Sequence, residues 1–109
     1  MASSSELAQL VLEQLSDFGP VTSKRMFGGV GFFRAGLMFA LLADDVFYLK
    51  SDDKTMPDFE AENLESFGYE SKTGRRTIMS YTRAPERVFD DGQEMVEWAQ
   101  KALEAAIRA

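Results

Sequence analysis

The sequence predicts a two-layer α+β domain of order α-β-β-β-α-β-β-α, with a five-stranded, mainly antiparallel sheet and helices packed on one face. Three observations predict it. Apolar residues recur at helical spacing near both ends of the chain, and between residues 21 and 50 that period disappears. In the same stretch Phe and Val become frequent, and glycine or paired aspartates interrupt it at short intervals, as strands and tight turns require. A length of 109 residues fits one domain, 1–109, with 45% hydrophobic residues to fill its core.

The first helix is read from Leu7, Leu10, Val11, Leu15 and Phe18, which form one apolar stripe. Ser3 and Glu6 have capping-box spacing, and Gly19-Pro20 is a stop signal. The first strand is expected from about Thr22 to Phe33, bent or bulged at Gly28-Gly29, because paired glycines permit positive φ or close approach. Arg34-Ala35-Gly36 is a turn, Leu37 to Ala43 a central strand, Asp44-Asp45 a second turn, and Val46 to Lys50 the third strand. A short helix follows from about Met56 to Glu65, with Pro57 in its first turn. Tyr69–Lys72 and Arg76–Thr82 read as a hairpin around Thr73-Gly74, Ile78 alternating against Thr77 and Met79. Pro85 ends that segment. The last helix is capped by Asp90 or Asp91 and carries Met95, Trp98, Ala99, Ala102, Leu103, Ala106 and Ile107 on one stripe.

Composition narrows the chemistry. The chain has no Cys and no His. Disulfides, thiolate zinc sites, cysteine nucleophiles and imidazole bases are therefore excluded, leaving carboxylates, Lys, Tyr and Ser. No cofactor is expected. A net charge of −6 repels nucleic acid and anionic membrane as a whole. The longest apolar run, Leu37 to Ala43, is too short to span a bilayer, and Met1 to Glu6 shows no basic region of a secretion signal. A cytoplasmic location is the expectation.

Charge is uneven. Residues 21–43 hold Lys24, Arg25 and Arg34 with no acid, and residues 71–89 hold Lys72, Arg75, Arg76, Arg83 and Arg87 against Glu86. If both segments share one sheet, its exposed face is basic and the helix side acidic. Such a face suits an acidic partner or nucleic acid, whereas edge and turn charges that keep strands soluble need no partner. Gly28-Gly29 is no phosphate loop, since more strand follows it instead of a Gly-Lys-Ser/Thr and a helix. Asp44-Asp45 and Asp52-Asp53 lack the spacing of a calcium loop.

The most distinctive stretch is Arg25-Met26-Phe27-Gly28-Gly29-Val30-Gly31-Phe32-Phe33. It continues through Gly36-Leu37-Met38-Phe39-Ala40 to Tyr48-Leu49-Lys50, and later come Phe67-Gly68-Tyr69, Met79-Ser80-Tyr81, Pro85-Glu86 and Trp98-Ala99. In order and spacing this resembles the N-terminal domain of the TfoX/Sxy family of bacterial regulators of competence for DNA uptake. The resemblance implies the fold given above and a noncatalytic part in transcriptional regulation through protein contacts, the partner being a transcription regulator. The position near Tyr81 is often Trp in the family, and full-length members carry a second, C-terminal helical domain, whereas this chain ends at Ala109.

The candidate partner- or ligand-binding residues are Arg25, Met26, Phe27, Gly28, Gly29, Lys50 and Tyr81. The glycines also serve as a bend that lets Phe27 and Phe32 reach the core. The alternative function is a small-ligand or enzyme domain in which Arg25, Lys50 and Tyr81 line a pocket on the sheet face. The apolar stripe of the last helix fits the core, and it also offers a seat for a second subunit in a homodimer.

Overall fold

The computed structural model describes residues 4–26, 28–71 and 74–109. Its elements are α1 (Ser4–Gln14), β1 (Thr22–Met26), β2 (Gly29–Arg34), β3 (Leu37–Ala43), β4 (Val46–Lys50), α2 (Met56–Glu60), β5 (Ser66–Ser71), β6 (Gly74–Arg83), a 3₁₀ turn (Glu86–Phe89) and α3 (Gly92–Arg108). The α+β architecture holds, but the sheet has six strands, in the spatial order β1-β2-β3-β4-β6-β5, each antiparallel to its neighbour.

The sixth strand arises where one bent strand was expected. Met26 pairs with Gly29, so the chain reverses between them, and Gly28 has φ +76. A two-residue hairpin needs positive φ, which glycine adopts without strain. The next two connections repeat the device: Ala35 (φ 52) and Gly36 (φ 78) join Arg34 to Leu37, and Asp44 (φ 50) and Asp45 (φ 63) join Ala43 to Val46. Positive φ at both central residues gives the backbone twist that matches paired strands. The aspartates serve as turn residues, as their pairing suggested. Other boundaries also move. The second helix ends at Glu60 instead of near Glu65, and Asn63 at φ 56 follows it before β5 begins at Ser66. The 3₁₀ turn after Pro85 was not foreseen. Ser3 and the turn residues Lys72 and Thr73 lie outside the described residues, as do the side chains of Thr77, Ile78 and Met79.

One face of the sheet is the core. Val30, Phe32, Phe39, Ala40, Leu42, Phe47 and Leu49 are buried there with Val11 of α1 and Leu15 just after it, Phe59 of α2 and Met95, Trp98, Ala99 and Ala102 of α3. Phe32 pairs with Ala40 while Phe33 pairs with Met38, so Phe39 is an extra residue in β3. This bulge buries adjacent residues Phe39 and Ala40 together, where strict alternation would turn one of them away. Alanines at 99, 102 and 106 let α3 lie close on the sheet, and Trp98 meets Phe59 edge-on at 5.1 Å. The α3 stripe is thus consumed within the chain, except that Ile107 is 63% exposed and Ala105 is buried in its stead. The buried hydroxyls of Ser51 and Thr82 bond each other at 2.8 Å, so neither costs an unsatisfied polar group.

Candidate functional site

Register assigns each strand side chain to a face. Leu49 and Thr82 pair on the core side, so their neighbours Lys50 and Tyr81, also paired, project to the opposite side. Tyr48 projects there as well and meets the ring of Phe67 at 4.8 Å. Across β2 and β1 the same side carries Gly31, and a side chain at Gly31 would point toward Met26, Phe33 and Met38. Leu41 pairs with both Gly31 and Tyr48 and joins these two groups. Because the buried residues of all three helices pack on the other face, Met26, Phe33, Met38, Leu41, Tyr48, Phe67 and Tyr81 remain half-buried and form a platform of thioethers, rings and one leucine.

Tyr81 stiffens the platform. Its hydroxyl donates to the Met38 carbonyl at 3.4 Å, reaching over β4 to β3, and Lys50 Nζ sits 5.1 Å from its ring centroid. Burial raises its pKa, so at neutral pH the phenol is a protonated donor and no base. Lys24 pairs with Gly31 and Arg83 with Tyr48, which puts both cations beside the platform on this face. Strands β1 to β4 contain no Asp or Glu at any position.

Of the residues singled out by sequence, the structure brings Met26, Lys50 and Tyr81 to this face. Arg25 pairs with Val30, whose side chain is in the core, so Arg25 projects to the helix side, where it borders a hollow with Ala8, Gln9 and Leu12 of α1. The expected pocket of Arg25, Lys50 and Tyr81 is therefore not assembled. Alternation separates them: Arg25 and Lys50 occupy opposite phases of the sheet. Gly28 and Gly29 are hairpin residues, and a Cβ on Gly29 would lie 2.2 Å from the Leu42 carbonyl oxygen, so Gly29 has a packing duty of its own. Phe27 lies outside the described residues. The basic segments also divide. Arg34 covers Phe18 on the helix side at 4.6 Å, and Arg87 binds Glu62 and Glu94. Lys24 and Arg83 share the open face, while Lys72 and the side chains of Arg75 and Arg76 lie outside the described residues. Sequence reasoning missed Phe33, Met38, Leu41 and Phe67 as members of one surface, although alternation with core residues was the available signal.

Elsewhere a hollow of about 350 Å³ lies between Lys50, Ser51, Asp52 and Ser80 and the end of α3 at Arg108. Of its two cations, Arg108 is already paired, its Nε and Nη2 donating to Asp52 at 2.7 and 3.0 Å, and Lys50 lies over the Tyr81 ring. Among the described residues no three carboxylates gather as a metal site, and no helix is long and apolar enough to cross a membrane.

The glycine-marked hairpin, the β3 bulge and the Tyr48–Lys50 strand occupy the positions of the motifs noted in the sequence. The family described as TfoX N-terminal domain matches residues 13–106, nearly the whole chain. The chain belongs to the TfoX N-terminal domain family. Among curated proteins no match is found. Membership of this family associates the chain with a competence-related regulatory module.

Proposed function

We propose that the chain is a noncatalytic regulatory or adaptor module that acts through protein–protein contacts in transcriptional regulation, in a cytoplasmic setting, with a transcription regulator as partner. Membership of the TfoX N-terminal domain family supports the regulatory role. The observation that carries the mode of action is the half-buried platform on the sheet face opposite the helices. Partly exposed Met, Phe and Tyr side chains grouped on a rigid sheet gain free energy when a partner removes them from water, about 25 cal/mol per Å² buried. Thioethers add adaptability, because Met has three soft torsions and a polarizable sulfur. The hairpins and the bulge hold this face in shape, and the face does its work by shape and not by bond-making.

The test is a transcript profile of a strain lacking the chain, complemented with wild type or with Met38→Lys. A changed set of transcripts, restored by wild type and not by the variant, is the expected result. An unchanged profile on deletion overturns the regulatory reading. Restoration by a folded Met38→Lys protein overturns the assignment to this face.

A further inference from the structure

The proposed regulatory reading requires a partner surface and leaves its chemistry open. The open face defines it. Apolar side chains of Met26, Phe33, Met38, Leu41, Tyr48 and Phe67 occupy the centre, and the cations Lys24, Lys50 and Arg83 stand among or beside them. Strands β1 to β4 offer no carboxylate to balance Lys24 and Lys50, while the chain as a whole carries −6; Arg83, on β6, is paired with Glu86 at 3.4 Å on the exposed rim. Several acids are engaged elsewhere: Glu62 and Glu94 bind Arg87, Asp58 binds Lys101, and Asp52 binds Arg108. A basic, apolar face on an acidic protein is matched by a ligand that is itself apolar and acidic.

We propose that this face binds an acidic amphipathic segment of a partner protein, its apolar side chains on the Met–Phe–Leu–Tyr platform and its carboxylates at Lys24 and Lys50. The proposal rests on the reading of the chain as a protein-contact module and adds the partner's chemistry. A second copy is a poorer occupant. Two open faces brought together around a twofold axis would bring Lys24 and Lys50 of each copy into one interface without an acid from strands β1 to β4. Nucleic acid is also poorer. The net charge opposes the backbone, Lys50 already covers one side of the Tyr81 ring, and Tyr48 and Phe67 meet each other at a 63° interplanar angle instead of presenting parallel stacking surfaces.

The experiment uses the full chain and three labelled probes: a short amphipathic peptide with Leu and Phe on one side and Glu on the other, its Lys-for-Glu counterpart, and a single-stranded oligonucleotide. Fluorescence anisotropy is expected to show saturable binding of the Glu peptide, with the Lys peptide about tenfold weaker or worse and the preference shrinking as salt rises. Lys24→Glu/Lys50→Glu is expected to invert the preference between peptides, and Leu41→Ser to weaken both. The double variant also removes the Lys50–Tyr81 ring contact, so its melting temperature is measured to verify folding. Equal affinity for the two peptides, or no binding of either, overturns the proposal. Tighter binding of the oligonucleotide overturns it in favour of a nucleic-acid surface, and a dimer that excludes the Glu peptide overturns it in favour of a second copy. If peptides fail while deletion still alters transcripts, the acidic partner is refuted and the regulatory role stands. If the profile is unchanged and the Glu peptide still binds, the reverse holds.

Discussion

Two glycines two residues apart in β2 carry different duties. A Cβ built on Gly29 would sit 2.2 Å from the carbonyl oxygen of Leu42, an atom of a paired backbone that can yield only by opening the β2–β3 ladder. A Cβ on Gly31 would meet Met38 Sδ at 3.1 Å, Met26 Sδ at 3.2 Å and Phe33 Cε1 at 3.2 Å, all ends of side chains on an open face. Overpacking against fixed backbone costs about 1–3 kcal/mol, whereas flexible thioethers can turn aside. Gly29→Ala is therefore expected to lower stability by about that amount in urea denaturation, and Gly31→Ala to change it by less than about 1 kcal/mol in either direction. Equal losses at the two sites would show that the platform is as rigid as the ladder. At this scale the sequence was informative about glycine and silent about its cause. Paired glycines announced a special backbone at residues 28–29, but a bend, a bulge and a hairpin share that signature. Arg25 and Lys50 both read as strand cations. Which face each takes depends on register, and register is set by the hairpin that the sequence left unresolved.

The last helix shows what an element owes to its sequence. Asp91 accepts hydrogen bonds from the backbone N–H groups of Gln93 (3.0 Å) and Glu94 (3.2 Å), fulfilling the cap that the residue types suggested. Its neighbour Glu94 takes the Arg87 Nε–H at 2.7 Å and the Trp98 Nε1–H at 3.3 Å, so the first turn is tied both to the 3₁₀ turn and to a core residue. Asp91→Ala is expected to destabilise the fold by about 1 kcal/mol in thermal denaturation, with Asp91→Asn close to wild type because the amide oxygen can accept the same bonds. A wild-type melting curve for Asp91→Ala would mean that packing of Met95 and Trp98 alone fixes the helix start. Helices with a long stripe and a cap were legible because both signals are local. The shorter α2 was not, since five residues hold one full turn and Phe59 is its sole buried residue. The 3₁₀ turn escaped for a related reason. It is held from outside, by Gln14 of α1 donating to the carbonyls of Val88 (2.9 Å) and Phe89 (3.1 Å), across a separation that no local pattern records.

The whole molecule is clasped by carboxylate–arginine pairs that join segments distant in sequence. Asp52, just after β4, receives Arg108 from the last turn of α3, and Glu62, after α2, receives Arg87 from the 3₁₀ turn. The Arg108 bond is the main reason that the Asp52 pKa is lowered from 3.8 to about 2, the Thr55 and Lys54 backbone N–H groups adding to it against some desolvation. The Arg87 bond lowers that of Glu62 likewise. A carboxylate with a lower pKa folded than unfolded binds its proton more readily in the unfolded chain. Its contribution is complete above the unfolded pKa and disappears as pH falls through the folded one. For Asp52 that window runs from about 4 down to about 2. Wild type and Asp52→Asn are thus expected to differ in urea midpoint at about pH 6, with the difference closing across that window and shrinking in high salt, since both partners are partly solvated. Arg108→Met removes the other half of the clasp and is expected to show the same closing difference. A difference that persists unchanged below pH 2 would mean that Asp52 acts through the hydrogen bonds of its own turn, to Lys54 and Thr55, and that the end of α3 is held by apolar packing alone.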